Sequence, residues 1–596
     1  MNRNLGNYDM VLGLSTNKIN YQFSKMYKRK IIHNEWVFLT NSMGKEAKTL
    51  TSKEAKEFWE NVNINKAAYA TKKDKLEAID KQIMAELDKE DWDDKKIKEL
   101  KNKKRKLKDE VKVLKEKIDE ASKYDLGLIA NIAAPKIEIN KDNAKELTLQ
   151  IIFKSNSKLF YTHEGKMAFY DLGGNGIIYA FKVAIGKVKI TADKKIVEID
   201  SKGIEHTKTL RDKGITDNDF TIQSLFLDFE NANIASYDAK NSKLPSEANN
   251  NALLQAAMVN YFSNLVKSNN NPYVLGYGIH KNEVKPEERN LFYPTGVAYS
   301  TNYSEQKRAS TFNFLMLLNN HSFPTGGDAG ILPTSLMEYA VDKSGTINGV
   351  FGMNKTDFEK NYINLLSNVL KNKIKSSMGS KCKSASVNGR DDIHFNFGWH
   401  NVKEGSIDIE YDGIRKSNDN KYVDIIYKVK SKARVHQEIK QLFGTVGVDW
   451  SISTKGRYRK SNGHDGLLIV SLKAGTSGKL ELKVNYETEF KLGFDTEEPN
   501  YKGALDKFWD GLNKILSDFA KVMFNIQTDI GKDLSNLSNI DNIGDSLNIS
   551  NLQNLENKII LPVSSVYTYK NVRLLDNGPA NDPVLLFDTS YGVVSQ

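Results

Sequence analysis

Apolar residues recur along this chain at two periods, and the change from one to the other lays out its elements. Tyr8-Asp9-Met10-Val11-Leu12-Gly13-Leu14-Ser15 is a short apolar run leading into Ile19, Phe23 and Met26, spaced i, i+4, i+7. That order predicts a buried strand and then an amphipathic helix, with Ser15 or Asn17 as its N-cap. Ile31 to Leu39, with Trp36 and Phe38, reads as extended. Residues 310–320 form a second apolar run, too short for a membrane span and about right for a buried strand. The stretch Pro324-Thr325-Gly326-Gly327-Asp328-Ala329-Gly330 behind it excludes regular structure. Gly349-Val350-Phe351-Gly352-Met353-Asn354 then leads straight into a helix bearing Phe358, Tyr362, Leu365, Leu366 and Val369. The opening strand–helix unit thus recurs near residue 345, and the strand at 310–320 closes the first half.

Residues 50–123 have a different texture, dense in charge and free of proline and glycine. Leu76, Ile79, Ile83 and Leu87 mark one helix face. After Asp91-Trp92-Asp93-Asp94, the set Ile97, Leu100, Lys104, Leu107, Val111, Leu114, Ile118 keeps 3-4 spacing throughout, the rhythm of a coiled-coil seam. Two helices joined by a short acidic turn predict an antiparallel hairpin, either a structural spur or an arm that docks a protein or membrane.

From Leu126 the period becomes that of strands: 136–139, 147–153, 159–170, 177–190, 196–199 and 220–232. A helix is expected from about Asn250 to Lys267, with Leu254, Met258, Tyr261, Phe262 and Leu265 on one face. Further strands follow from about 392 to 494. Beyond them come a long helix with Leu505, Phe508, Leu512, Ile515, Phe519, Val522 and Ile526, an Asn/Ser-rich segment 534–547, and closing strands from Ile559 to Phe587.

At 596 residues there is room for two or more domains, and 39% hydrophobic with 27% charged residues describes a soluble globular protein. A single cysteine, Cys382, excludes an intrachain disulfide and a four-cysteine zinc site. No apolar signal core stands at the N-terminus, so cytoplasmic synthesis without a cleaved signal is expected, with release by lysis or a non-classical route left open. The net charge of +11 invites a nucleic-acid reading, but residues 94–117 alone carry twelve Lys/Arg against five Asp/Glu. The basic excess belongs to one helix, with Lys103, Lys104, Arg105 and Lys106 as its densest run. A peripheral contact with an anionic membrane surface is the better expectation, and nucleic acid is not expected as a partner.

Catalytic chemistry has few candidate residues. None of the nine histidines forms a metal cluster in sequence, and His394 and His400 are too far apart on one strand to share an ion. His163-Glu164 lacks the second histidine of a zinc-hydrolase helix. Gly173-Gly174-Asn175-Gly176 lies between strands with no helix or Lys-Ser/Thr after it, so it reads as a turn and not a phosphate loop. Gly475-Thr476-Ser477-Gly478 is not a nucleophile elbow. No enzyme activity, metal or cofactor is expected.

The opening Asn7-Tyr8-Asp9-Met10-Val11 with Leu14-Ser15 resembles that of the OrfX and P-forty-seven type TULIP (tubular lipid-binding) proteins of clostridial neurotoxin and insecticidal toxin gene clusters. Similar patterns stand at Ala134-Pro135-Lys136-Ile137-Glu138-Ile139, at 220–229, at Ser310–Leu315, at Leu332-Pro333, at Gly349–Phe358 and over Leu555–Phe587. The likeness is thin from about 375 to 500 and does not cover the 50–123 hairpin. It implies an α+β fold: two tandem TULIP-like domains, each with long curved antiparallel sheets wrapped on long helices around an apolar groove. The expected division is 1–340, with 47–123 inserted as an antiparallel coiled-coil hairpin, then 341–535, then a closing segment 536–596. Ile19, Phe23, Met26, Phe358, Tyr362 and Leu365 then line the ligand groove, unless they simply fill a core.

The function expected on this basis is non-enzymatic binding of a lipid or other hydrophobic small molecule. The protein would be an accessory or insecticidal component of a bacterial toxin system, acting with other proteins of the same toxin gene cluster. Two alternatives stand beside it. One is a membrane-inserting or pore-forming toxin that would use Ile177–Ile190. The other is a scaffold that recruits partners with the coiled-coil arm.

Overall fold

The computed structural model describes residues 3–41, 47–141, 143–164, 166–199, 204–267, 271–286, 292–306, 309–326, 329–340, 347–378, 380, 382–389, 392–399, 402–441, 444–455, 466–476, 478–487, 491–495, 559–560, 563–565, 567–576 and 582–591. The helix expected over 505–526, the 534–547 segment and His400 lie outside these. The fold is mixed helix and strand, and the chain divides into two units that interleave in sequence. One comprises residues 1–18, 189–224 and 276–596; the other comprises 19–188 and 225–275. The expected tandem division follows the repeat in sequence instead.

In the first unit, the apolar runs become one antiparallel sheet. Its order is Gly296–Asn302, Thr311–Leu317, Met10–Ser15, Gly349–Asn354, Val584–Tyr591, Tyr567–Leu575. The two recurring strands, Met10–Ser15 and Gly349–Asn354, are direct neighbours, with Leu12 opposite Phe351. Every residue of both is buried, as is every residue of Thr311–Leu317. A strand covered on both faces has no reason to alternate, which is why these segments read as continuous apolar runs. One face packs Val11, Leu315, Leu317, Val350, Val584 and Leu586 with Leu332, Leu336 and Ile347.

The same unit holds a second antiparallel set built on Tyr422–Gln441, a 20-residue strand. Val402–Lys416 pairs along one side; Gly466–Ala474 and Gly444–Lys455 share the other, each on its own half.

In the second unit, Ala47–Thr49, Glu35–Thr40, Leu126–Asn131, Lys158–His163 and Lys166–Asp171 make a five-stranded antiparallel sheet. Lys136–Ile139, Glu146–Ile152 and Ile178–Ile190 pair in a second set. Helix α1 is Thr16–Lys28, and the Ser15 hydroxyl accepts the Lys18 amide proton at 3.3 Å, the N-cap bond expected there. The hairpin consists of α2, Ser52–Leu87, and α3, Asp94–Ala121. Thr51 and Glu54 form a capping box at the start of α2, and the Asp93 carboxylate accepts from the Lys95 and Lys96 amides at the start of α3. Ion pairs Lys72–Glu110, Lys104–Asp80 and Lys96–Glu86 run in opposite sequence directions, so the helices are antiparallel. Lys89 and Lys96 hold the Glu86 carboxyl down at about 2. The base of α2 belongs to the sheet's core: Ala55 and Trp59 pack with Val37, Leu39, Ile129 and Phe160. Trp59 stacks on Phe160 at 5.1 Å. Gly127 leaves the room its ring needs, since a Cβ there would stand 2.2 Å from the indole.

Helix α4 is Ala248–Lys267. The last helix among the described residues, α5, runs without a break through Lys355–Phe358, a π turn Glu359–Ile363, and Asn364–Met378.

Candidate functional site

From Ile19 on, helix α1 is held to the second unit by polar bonds at defined points. Asn20 exchanges two bonds with the backbone of Ile137, donating from Nδ2 to its oxygen at 3.0 Å and accepting its N–H at 2.7 Å. The Tyr27 hydroxyl donates to the Ile132 oxygen at 2.8 Å. These bonds turn Ile19, Phe23 and Met26 inward, and all three are at most 1% exposed.

Phe23 meets Tyr273 edge-on at 6.0 Å, and Tyr273 in turn meets Phe229 at 5.2 Å. Phe262 of α4 lies 4.4 Å from Phe229 and 5.1 Å from Phe181. Its neighbour Tyr261 stacks on Trp36 at 3.8 Å. The Tyr273 hydroxyl is fully buried among these rings with no hydrogen-bond partner among the described residues. Burial, with Tyr261 adding to it, pushes that hydroxyl well above its usual pKa. Tyr179 in the same unit is satisfied, donating to the Ile234 oxygen at 2.6 Å.

Helix α5 repeats the arrangement in the other unit. Phe358 lies parallel to Phe292 at 6.2 Å and 4.9 Å from Tyr362. Farther along, Ser367 meets the Tyr427 hydroxyl at 3.2 Å, and Tyr411 donates to Glu359 at 2.6 Å. Tyr362 sits on the π turn, fully buried, and its hydroxyl also has no partner among the described residues. Burial alone raises its pKa. The π turn adds a residue to the local ring and rotates the turns after it about the helix axis. Ile363 is therefore buried with Leu366, while Leu365 is only partly so. Regular spacing already places Leu366 and Val369 on this buried face; Ile363 is the residue it does not place there.

A polar group closes the start of α5. Its N-cap residue Asn354 donates to the Asp357 carboxylate at 3.2 Å and to the Tyr8 oxygen at 3.3 Å. Asp9 accepts the Leu318 amide at 2.7 Å, and His321 Nδ1 lies 2.9 Å from the same oxygen.

The four residues Lys103–Lys106 do not share a face, because each stands about 100° round the helix from the one before. Lys104 turns to Asp80 across the hairpin, while Lys103, Arg105 and Lys106 are exposed. Ile178–Ile190 is one 13-residue strand with Tyr179, Phe181, Val183 and Ile185 buried. His394 is engaged by Asp408 and, at 3.1 Å, by Asn396. Among the described residues no group of three or more His, Cys, Asp or Glu could hold a metal ion, and no helix is long and apolar enough to cross a membrane.

Sequence reasoning missed Tyr273, which follows Pro272 outside any periodic segment, and the meeting of Asp9 with His321, 312 positions apart. Nothing local marks either.

No family model matches this chain, and no curated protein matches it. Among solved structures it is similar to the crystal structure of lipopolysaccharide binding protein. That match has 10% identity over 79% of this chain and 88% of the other, with a TM-score of 0.23.

Proposed function

We propose that the protein binds a lipid or other hydrophobic small molecule without transforming it, at the aromatic enclosures beside α1 and α5. The observation that carries this is the pair of buried tyrosine hydroxyls, Tyr273 and Tyr362, one in each enclosure and neither with a partner among the described residues. An unpaired buried hydroxyl costs roughly 1–3 kcal/mol, and a packed core ordinarily avoids it. An amphiphile with an apolar body and one accepting oxygen suits such a site, because the aromatic walls take the body and the hydroxyl takes the oxygen. The resemblance to TULIP proteins extends the reading to two tandem TULIP-like domains with an inserted coiled-coil arm, in an accessory or insecticidal component of a toxin system.

Organic extraction of the purified protein and mass spectrometry test the reading. A bound lipid or comparable amphiphile is the expected result. Tyr273→Phe and Tyr362→Phe are expected to raise the melting temperature of the delipidated protein, since each removes an unpaired polar group. The same variants should lower the recovery of ligand. An extract without any amphiphile, joined to failure to take up a fluorescent fatty acid, overturns the proposal.

A further inference from the structure

The hairpin carries a second feature, unrelated to the aromatic enclosures. On α3, Lys98, Lys101, Arg105, Lys108, Lys112 and Lys115 follow the spacing 3, 4, 3, 4, 3. This is the rhythm of the seam residues Ile97, Leu100, Lys104, Leu107, Val111 and Leu114, displaced by one position. On a helix the displacement is about 100° of rotation, so the six cations form one straight stripe beside the seam. From Lys98 to Lys115 it runs roughly 26 Å at 1.5 Å per residue. All six are exposed, and none makes an ion pair among the described residues. The α2 carboxylates that turn toward α3 are engaged elsewhere, Asp80 by Lys104 and Glu86 by Lys89 and Lys96. Glu99, Asp109 and Glu116 stand one step farther round the helix. Asp94 and Asp119 occupy the next positions at the two ends, so the stripe is bounded.

We infer that this stripe is a docking surface for an anionic lipid membrane, with α3 lying along the surface. Three observations favour a bilayer over nucleic acid. Five of the six cations are lysines, compact point charges without the planar fork that grips a fixed phosphate. No aromatic side chain stands among them to stack on a base. The array is a line on a convex rod, whereas a site for single-stranded nucleic acid is a groove that follows a backbone. Mobile anionic headgroups can gather under such a line, each basic residue then strengthening attachment about fivefold. The attraction is screened over about 8 Å at physiological salt.

The test uses the intact chain and two variants that remove equal charge. One carries Lys101→Gln, Arg105→Gln, Lys108→Gln and Lys112→Gln on the stripe. The other carries Lys95→Gln, Lys103→Gln, Lys106→Gln and Lys117→Gln, exposed residues on other sides of α3. Each is sedimented with phosphatidylcholine vesicles, alone or with about one third phosphatidylserine, across a salt series. Circular dichroism checks that the helices persist. The wild type is expected to bind only the phosphatidylserine vesicles and to release with salt. The stripe variant should lose affinity on the order of several hundredfold, and the control variant less than about tenfold. Equal losses in the two variants, or equal binding to neutral vesicles, overturn the inference. So does wild-type binding to duplex DNA or polyglutamate that is tighter than to the anionic vesicles and lost with the stripe.

Discussion

At the scale of single residues, the most telling group is Asp357 at the start of α5. Burial pushes its carboxyl up, and the nearby Asp9 carboxylate adds to that; the Asn354 amide, His321 and Lys360 pull the other way without winning. A carboxyl whose pKa is raised by folding contributes most stability when protonated. Its contribution is complete below the ordinary aspartate range and is lost as pH rises through the raised value. Asp357→Asn keeps an acceptor for the Asn354 amide and removes the charge. The variant is expected to melt higher than wild type at neutral pH and to lose that advantage as pH falls below the ordinary aspartate range. Melting temperature against pH checks this, and a constant offset between the two proteins would contradict it. None of this arrangement is visible in sequence, where Asp9 and Asp357 are two acids among 75.

At the scale of elements, the hairpin is the instructive case. Its two helices were legible from their apolar spacing; along the 3-4 set of α3, Ile97 and Leu100 are buried, while Leu107, Val111, Leu114 and Ile118 are only partly so. Its attachment was not legible. Trp59 reads in sequence as one more apolar residue of α2, and only the sheet beneath it, opened by Gly127, makes it a core residue. The two ends of the hairpin should therefore respond differently to deletion. Replacing residues 70–113 by a short Gly/Ser bridge keeps the Trp59 contacts and should leave cooperative melting close to wild type. Deleting 52–122 uncovers Val37, Leu39, Ile129 and Phe160, at roughly 1.5–3 kcal/mol for each large apolar side chain exposed. That protein should be insoluble or melt far lower. Equal behaviour of the two deletions would show that the docked base contributes nothing. In α5 the element was legible with most of its buried face, Phe358, Tyr362, Leu366 and Val369, while the π turn at Tyr362 brings Ile363 into that face and leaves Leu365 only partly buried.

At the scale of the whole molecule, the chain returns on itself. Residue 10 begins a sheet that residues 567–591 complete. Within those closing strands, Asp588 is fully buried and accepts from Arg573 Nε at 3.2 Å and from Asn571 Nδ2 at 3.0 Å, with Arg573 Nη2 on its other oxygen. Breaking such a pair from one side strands a charge, whereas replacing both partners with apolar residues need not. Arg573→Met is expected to cost about 3–5 kcal/mol in urea unfolding, and Arg573→Met with Asp588→Leu to recover most of it. A single variant as stable as wild type would mean that this buried pair contributes nothing to stability.

Local composition was enough to determine the kind of several elements and their buried side. Period two, period 3.6 and unbroken apolar runs each have a distinct physical origin within a few residues, so Met10–Ser15, α1, α3 and Gly349–Asn354 could be read directly. Pairing and enclosure were decided only by tertiary structure. Which strands neighbour Met10–Ser15, which rings surround Phe23, and that Tyr273 and Tyr362 are left without partners among the described residues depend on positions tens to hundreds apart. Contacts at that separation depend on how buried faces fit one another in space, and such fit leaves no local period to read.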